Sequence, residues 1–436
     1  MIDLTIKNGK IFVGELFHGG IGIDQGKIVA ICKDSALPPS DKQIDAKGMV
    51  VIPGAVDVDC HLREPGATHK EDFLTGTSAA AAGGVTTVLD MPNNIPPITT
   101  VERLKEKEEM VKNKAVVDYG FHFGGAVDNL QEIEKVDDIV SIKIFMAGHK
   151  AAPTFVANEG VIYEIFSLLA KKGIPCAVHA EHQTLIDHLQ EKYRERNDFE
   201  AYSLSRNNLC ADLAVSEVIE IAKFCGTKVH ICHVSTPEEL RIIKAAKDLG
   251  LPVSCEAVPY HLFLTIDDLK RLKGFGKVSP PLRSKSDQEF LWKAIEYGWV
   301  DCIASEHTPH TREEKEHGVW KAPPGMPSFE TMLSLLLYKG LSLADIVKLT
   351  SENPARIFGI QNKGRIALGY DADLVVLDSK KKWVVKSDEL KTKCGWSAFE
   401  SWTLKGKPEI TMIRGNVVYE NGEIIDRGGK RILISG

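Results

Sequence analysis

The stretch Met49-Val50-Val51-Ile52-Pro53-Gly54-Ala55-Val56-Asp57-Val58-Asp59-Cys60-His61-Leu62-Arg63-Glu64-Pro65-Gly66 decides how the chain is read. An apolar run passes a Pro-Gly break and ends in an acid, a histidine and an arginine at alternate positions. That period of two places Asp59, His61 and Arg63 on one face of a buried strand. A carboxylate and an imidazole on one face suit a divalent cation, and a neighbouring guanidinium suits an anion. Parallel barrels gather such groups at the C-terminal ends of their strands.

Working outward, strand-like runs fall at about 50–59, 85–91, 116–123, 139–145, 174–179, 228–233, 251–257 and 301–306. Helical patterns separate them, among them Glu71 to Ala82, Glu159 to Lys172, Ala211 to Phe224 and Pro237 to Asp248. This alternation predicts an α/β chain built on a (β/α)8 TIM barrel. The first fifty or so residues alternate short apolar runs with turns, as a small antiparallel sheet does, and Ala372–Asp378 and Ile410–Tyr419 repeat that texture. Neither end holds enough strands for a core of its own. Residues 1–52 and 368–436 are therefore expected to form one composite β-sandwich domain, with residues 53–367 as the barrel.

A net charge of -6 without a Lys/Arg tract argues against nucleic acid as a partner. No apolar stretch reaches the roughly 18–20 residues of a membrane span. The chain starts in strand-like sequence, with no secretory leader pattern. Nine scattered cysteines without a CxxC pair suit a reducing compartment, so a cytoplasmic location is expected.

Ionisable residues recur where the strands end. Lys143 interrupts the apolar run Ile139–Met146; His179 closes Cys176-Ala177-Val178-His179-Ala180-Glu181. His233 lies in Val229–Ser235, and Glu306 in Cys302–His310. One buried histidine is more often a satisfied core group than a ligand. Several together at the mouth of one barrel are another matter, because unpartnered burial costs several kcal/mol each. A metal centre held by Asp59, His61, His179, His233 and Glu306 removes that cost. Lys143, taken alone, reads as a lysine snorkelling from a strand edge. Among those histidines it reads as a carboxylated lysine, whose two oxygens bridge two cations. Two ions about 3.5–4 Å apart share a hydroxide and polarise a carbonyl. At the rim, Arg63, Asn93 of Asp90–Pro97 and His310 suit a small carboxylate-bearing amide or ureide. Their plainer readings are a strand cap, a turn residue and a surface histidine.

The sequence resembles the cyclic amidohydrolases, and within them the dihydroorotase family, over nearly its whole length. Asn353–Gly359 and Gly364–Leu374 mark the wider superfamily. His61-Leu62-Arg63-Glu64-Pro65-Gly66, Asp90-Met91-Pro92-Asn93, Pro280-Pro281-Leu282-Arg283 and His307-Thr308-Pro309-His310 are closer to dihydroorotase than to allantoinase or hydantoinase. The resemblance implies a barrel with a terminal β-sandwich. It implies the reversible interconversion of L-dihydroorotate and N-carbamoyl-L-aspartate in pyrimidine synthesis. It also implies divalent metal, Zn first, in one or two ions, with Glu306 moving the proton and Arg63, Asn93, Ser279 and His310 at the substrate.

The chain departs from that family at four places. Asp59-Cys60-His61 stands for His-x-His, Glu306-His307 for Asp-His, Ser279 for Asn, and Pro259-Tyr260-His261-Leu262 for Pro-His-His-Leu. The first two alter metal ligands: a carboxylate at Asp59 in place of an imidazole hardens the donor set, which favours Mn or Mg over Zn, and Glu306 reaches one methylene farther than an aspartate. A short Asp59 and a long Glu306 are expected to compensate across one ion. The departures motivate two other readings. One is a non-catalytic subunit scaffolding aspartate carbamoyltransferase; the other is a different ring hydrolase, an allantoinase or dihydropyrimidinase. A homo-oligomer is expected, and the small-residue segment Ala147–Pro153 is a candidate closing loop.

Overall fold

A computed structural model of the chain describes residues 1–148, 155–432 and 434. Two sheets organise it. The first belongs to the termini: β1 (Ile2–Phe12), β2 (Leu16–Asp24), β3 (Lys27–Cys32), β4 (Ser40–Asp45) and β5 (Val50–Pro53) from the front of the chain. The second is the barrel: β6 (Ala55–Cys60), β7 (Val85–Asp90), β8 (Asp118–Gly124), β9 (Ser141–Phe145), β10 (Cys176–His179), β11 (Val229–Ile231), β12 (Val253–Ala257) and β13 (Cys302–Ile303). The tail then returns β14 (Leu374–Val384), β15 (Thr403–Ile413), β16 (Asn416–Glu420) and β17 (Glu423–Ile424) to the first sheet.

The barrel strands pair in parallel in sequence order from β6 to β13. A bridge between Cys60 and His307, with the His61 amide donating to the His307 carbonyl at 2.9 Å, joins its two ends. The terminal sheet runs β17-β16-β15-β14-β5-β1-β2-β3, with β4 also on β1. Its pairing is mixed rather than purely antiparallel, because β1 meets both β4 and β5 in parallel. Ile21, Ile23 and Ile28 from one end of that order share a buried cluster with Ile410 and Met412 from the other.

The run expected as one strand over 50–59 is two strands in two sheets. Gly54 divides them, packed so closely that a Cβ there would meet Thr86 at 2.0 Å. Helix limits follow local capping. Thr236 caps the helix Pro237–Asp248, and Glu239 returns the bond to the Thr236 amide. The helix Glu159–Lys172 starts at an Asn158 cap and stops at Gly173, φ 70°. Where the tail crosses the barrel, Lys363 pairs with Asp118 and Asp373, and Arg414 pairs with Asp118. No helix among the described residues is long and apolar enough to cross a membrane. Residues 149–153 of the expected closing loop lie outside the described residues.

Candidate metal centre

Asp59, His61, Asn93, Lys143, His179, His233, Ser279 and Glu306 line one cavity at the C-terminal mouth of the barrel, with about 20 Å³ of free space. That is room for one or two atoms the size of water. The backbone aims these side chains. His233 and Glu306 have φ values of 39° and 43°, so each turns sharply inward beyond its strand. Such conformations cost about 1–3 kcal/mol per non-glycine residue and persist where the surroundings enforce them. The enforcement is visible beside Glu306: the Asp57 carboxylate accepts from the Ser305 amide (3.1 and 3.2 Å) and from the Asp59 amide (3.1 Å). It also explains why β13 is only two residues long, against an expected 301–306.

Both Asp59 oxygens, Glu306 Oε2 and His233 Nδ1 are buried without a hydrogen-bond partner. Burial pushes the Asp59 carboxyl up to about 7, against the pull of Lys143 and with Glu256 adding to the rise. Burial also raises Glu306, and the Asp59 charge raises it further. Unpaired buried acceptors are costly unless something positive faces them. The donor set therefore fits a divalent cation.

Lys143 is 1% exposed, which excludes the snorkelling reading. Its Nζ lies 2.8 Å from Cys232 Sγ and 3.7 Å from Asp59 Oδ2. Burial works against its ammonium, but Cys232, Asp59 and Glu256 outweigh it and hold the group above its ordinary value. Asp59, Cys232 and Glu256 bring ligand atoms within 4.8 Å of one another, and Glu256 also accepts from the His233 amide at 3.3 Å. Cys232 reads in the sequence as a small hydrophobe, and nothing local marks Glu256 as its neighbour.

The imidazoles are oriented from behind. His61 Nδ1 lies 2.6 Å from the Asn93 Oδ1, so it carries the proton and turns Nε2 toward Asp59 Oδ1 at 3.5 Å. His179 Nε2 lies 2.8 Å from Glu181 Oε2, and its Nδ1 lies 3.1 Å from His233 Nε2. Burial opposes the Glu181 charge, but Arg206 and His179 hold that carboxyl far below its ordinary value. Glu181 lies two residues beyond His179, where β10 ends, the same sequence spacing that separates Asp59 and His61. Arg206 comes from a distant helix end and carries no such signal.

Arg63 and His310 sit behind the wall of the cavity, against each other. Arg63, φ 61°, donates Nε to the Pro309 carbonyl (3.1 Å), and its Nη2 lies 3.1 Å from His310 Nε2. His310 Nε2 also lies 3.0 Å from the Pro324 carbonyl, and Nδ1 lies 3.2 Å from Lys70 Nζ. The turn carrying Asn93 is pinned by Asp90, which accepts the Leu62 amide at 2.7 Å and pairs with buried Lys107. Ser279 Oγ donates to Glu181 at 3.1 Å. Tyr260 is fully buried, packed on His261, with its hydroxyl unpartnered.

Residues 50–418 match the model of the amidohydrolase family. The chain is 37% identical to a dihydroorotase of Methanothermobacter thermautotrophicus, covering 99% of this chain and 97% of that one. It is 38% identical to a dihydroorotase of Pyrococcus abyssi over the full length of both. Among solved structures, an L-hydantoinase (dihydropyrimidinase) from Arthrobacter aurescens superposes with a TM-score of 0.96 at 33% identity. That match covers 99% of this chain and 100% of the other.

Proposed function

This chain belongs to the amidohydrolase family, and from that premise we infer that it is a dihydroorotase, opening the cyclic amide of L-dihydroorotate reversibly to N-carbamoyl-L-aspartate. One observation carries the reading. Buried, unpartnered ligand atoms of Asp59, His233 and Glu306, from three strand ends, converge on one cavity in a chain that matches dihydroorotases from end to end. Asp59, His61, Glu306, His179 and His233 would hold divalent metal, with Lys143, carboxylated, between them. The ion, Zn or a harder metal such as Mn, supplies Lewis-acid polarisation of a carbonyl and a more acidic water.

The chain's own residues do the rest. Glu306, destabilised as an anion by burial and by Asp59, is suited to take a proton from the attacking water and pass it to the leaving ring nitrogen. Asn93 holds His61 in one tautomer. Arg63 supplies the charge for the substrate carboxylate, with His310 setting the plane of its guanidinium. The cavity's apolar wall at Phe145 limits water around the reacting amide. We place the enzyme in the cytoplasm as a homo-oligomer, with aspartate carbamoyltransferase as a partner to test by co-purification.

The test is turnover of both L-dihydroorotate and N-carbamoyl-L-aspartate, with metal content measured on the same sample. Protein that stays inert after Zn, Mn or Co and bicarbonate are supplied would overturn the reading in favour of a scaffold. A second reading, a ring hydrolase of the hydantoinase kind, draws on the L-hydantoinase likeness and on the placement of Arg63 behind the cavity wall. Faster turnover of hydantoins, dihydropyrimidines or allantoin than of dihydroorotate would favour it.

A further inference from the structure

We propose that Glu181 is a positioning residue of the metal centre, clamped by Arg206 and Ser279 so that His179 presents Nδ1 to the cavity. The proposal rests on the reading of His179 as a ligand. Its geometry is independent of any ion. Glu181 Oε2 is shared by three groups: His179 Nε2 at 2.8 Å, Arg206 Nη2 at 2.8 Å and Ser279 Oγ at 3.1 Å. Oε1 takes the Arg206 Nε at 3.2 Å, so the guanidinium spans both oxygens. Glu181 and Arg206 are each 0% exposed and His179 is 2% exposed. A carboxylate held ionised by a spanning guanidinium accepts and does not donate. His179 Nε2 must therefore be its N–H end, which leaves Nδ1 as the acceptor, 3.1 Å from His233 Nε2.

The clamp is itself anchored. Arg283 donates Nη1 to the Arg206 carbonyl at 2.5 Å and Nε to Ser235 Oγ at 3.1 Å, and Ser235 donates Oγ to Glu239 at 3.1 Å. The orientation of one imidazole is thus fixed from strand β10, from the helix end at Arg206 and from the loop at 279–283. This gives Ser279 a task that the chemistry of its hydroxyl suits: it donates to Glu181 from the cavity wall. Outer carboxylates of this kind are worth about 10–100-fold in metal affinity.

Glu181→Gln alone leaves Arg206 buried without its counter-charge, so the main variant is the double Glu181→Gln, Arg206→Met, with Ser279→Ala beside it. Two readouts are taken. The first is the tautomer of His179 by ¹⁵N-histidine NMR on metal-free protein, its resonance identified by loss in His179→Gln. The second is Zn²⁺ affinity by chelator competition. The double variant is expected to lose the pure Nε2–H tautomer and to bind Zn²⁺ about 10–100-fold more weakly. Ser279→Ala is expected to shift the same resonance and weaken Zn²⁺ by about fivefold. An unchanged tautomer and unchanged affinity in Ser279→Ala and in a cooperatively folding double variant would overturn the proposal. The tautomer needs no metal, so failure of the metal reading shows separately, as wild-type protein that binds no Zn²⁺.

Discussion

Asp59 and Glu306 face each other across one cavity with three carboxylate oxygens that accept no hydrogen bond. Burial first, and then the charge of its neighbour, works against the ionisation of Glu306. Two acids so placed are stable together only if a proton or a cation lies between them. The shorter and the longer side chain are then expected to meet on one ion. A metal-bound crystal structure with either carboxylate turned away would refute this pairing.

Exchanging Asp59 tests the hardness of the site. Asp59→Asn keeps the shape, removes the charge, and is expected to weaken Mn²⁺ binding by at least about tenfold. Asp59→His restores an imidazole and is expected to move the Zn²⁺-over-Mn²⁺ preference up by about tenfold. Competition titrations with both metals check both numbers.

Glu306→Gln keeps an oxygen in the cavity and removes the carboxylate proposed to carry the proton. A fall in kcat of about 10²–10⁴-fold is expected, with bound metal largely retained. Loss of activity in strict proportion to loss of metal would assign Glu306 to ligation alone.

Arg63→Met is expected to raise KM for L-dihydroorotate by about 10–100-fold, the worth of one charge-assisted contact. A substrate analogue without the carboxylate should be nearly indifferent to the change. Equal losses on both substrates would place Arg63 in the scaffold and out of the binding site.

Glu330 gives a pH dependence remote from the metal. Burial pushes its carboxyl up to about 8, although the Lys391 and Thr392 amides at 2.8 and 3.1 Å pull the other way. Between its ordinary value of 4.5 and about 8, the folded chain binds a proton that the unfolded chain does not. The stability linked to that proton is present at low pH and is lost as pH rises. Glu330→Gln keeps an acceptor without the charge. Its melting temperature relative to wild type should therefore climb between about pH 4.5 and about pH 8 and level off above that. A constant difference across that range would remove Glu330 from the account.

Gly325 lines the cavity at φ 130°, and a Cβ there would meet the Thr308 methyl at 2.3 Å and the Thr308 carbonyl at 2.7 Å. Gly325→Ala is expected to cost about 1–3 kcal/mol of stability and to open the wall formed by Thr308 and Pro324. Thermal unfolding together with KM would show both effects or neither.

What was legible in the sequence was local. The helices Glu159–Lys172 and Pro237–Asp248 have the limits expected of them, because Asn158, Gly173 and the Thr236-Pro237 pair fix those ends with adjacent residues. That Asp59, His61, Lys143, His179, His233 and Glu306 line one cavity was legible through ionisable residues recurring at strand ends. The split of the run at 50–59 between two sheets was not, since it depends on the close approach of Gly54 to Thr86 on the neighbouring strand β7. Nor was the partner of Lys143, because Cys232 approaches it only through the pairing of β9, β10 and β11. The same holds for Arg63, whose turn toward His310 depends on the Pro309 carbonyl 246 residues away.

The place of β5 has a consequence for how the protein is made. Val50 and Val51 pair with Lys10 and Ile11 on one side, and Val50–Pro53 pair with Leu374–Leu377 on the other. During synthesis, the second edge of β5 therefore has no strand to receive until the whole barrel has been translated. A nascent chain stalled before Leu374 displays an apolar, half-paired ribbon, the kind of surface that recruits chaperones or sticks to its copies. Ribosomal pausing in the barrel segment should thus be more hazardous to this protein than pausing after the tail has emerged.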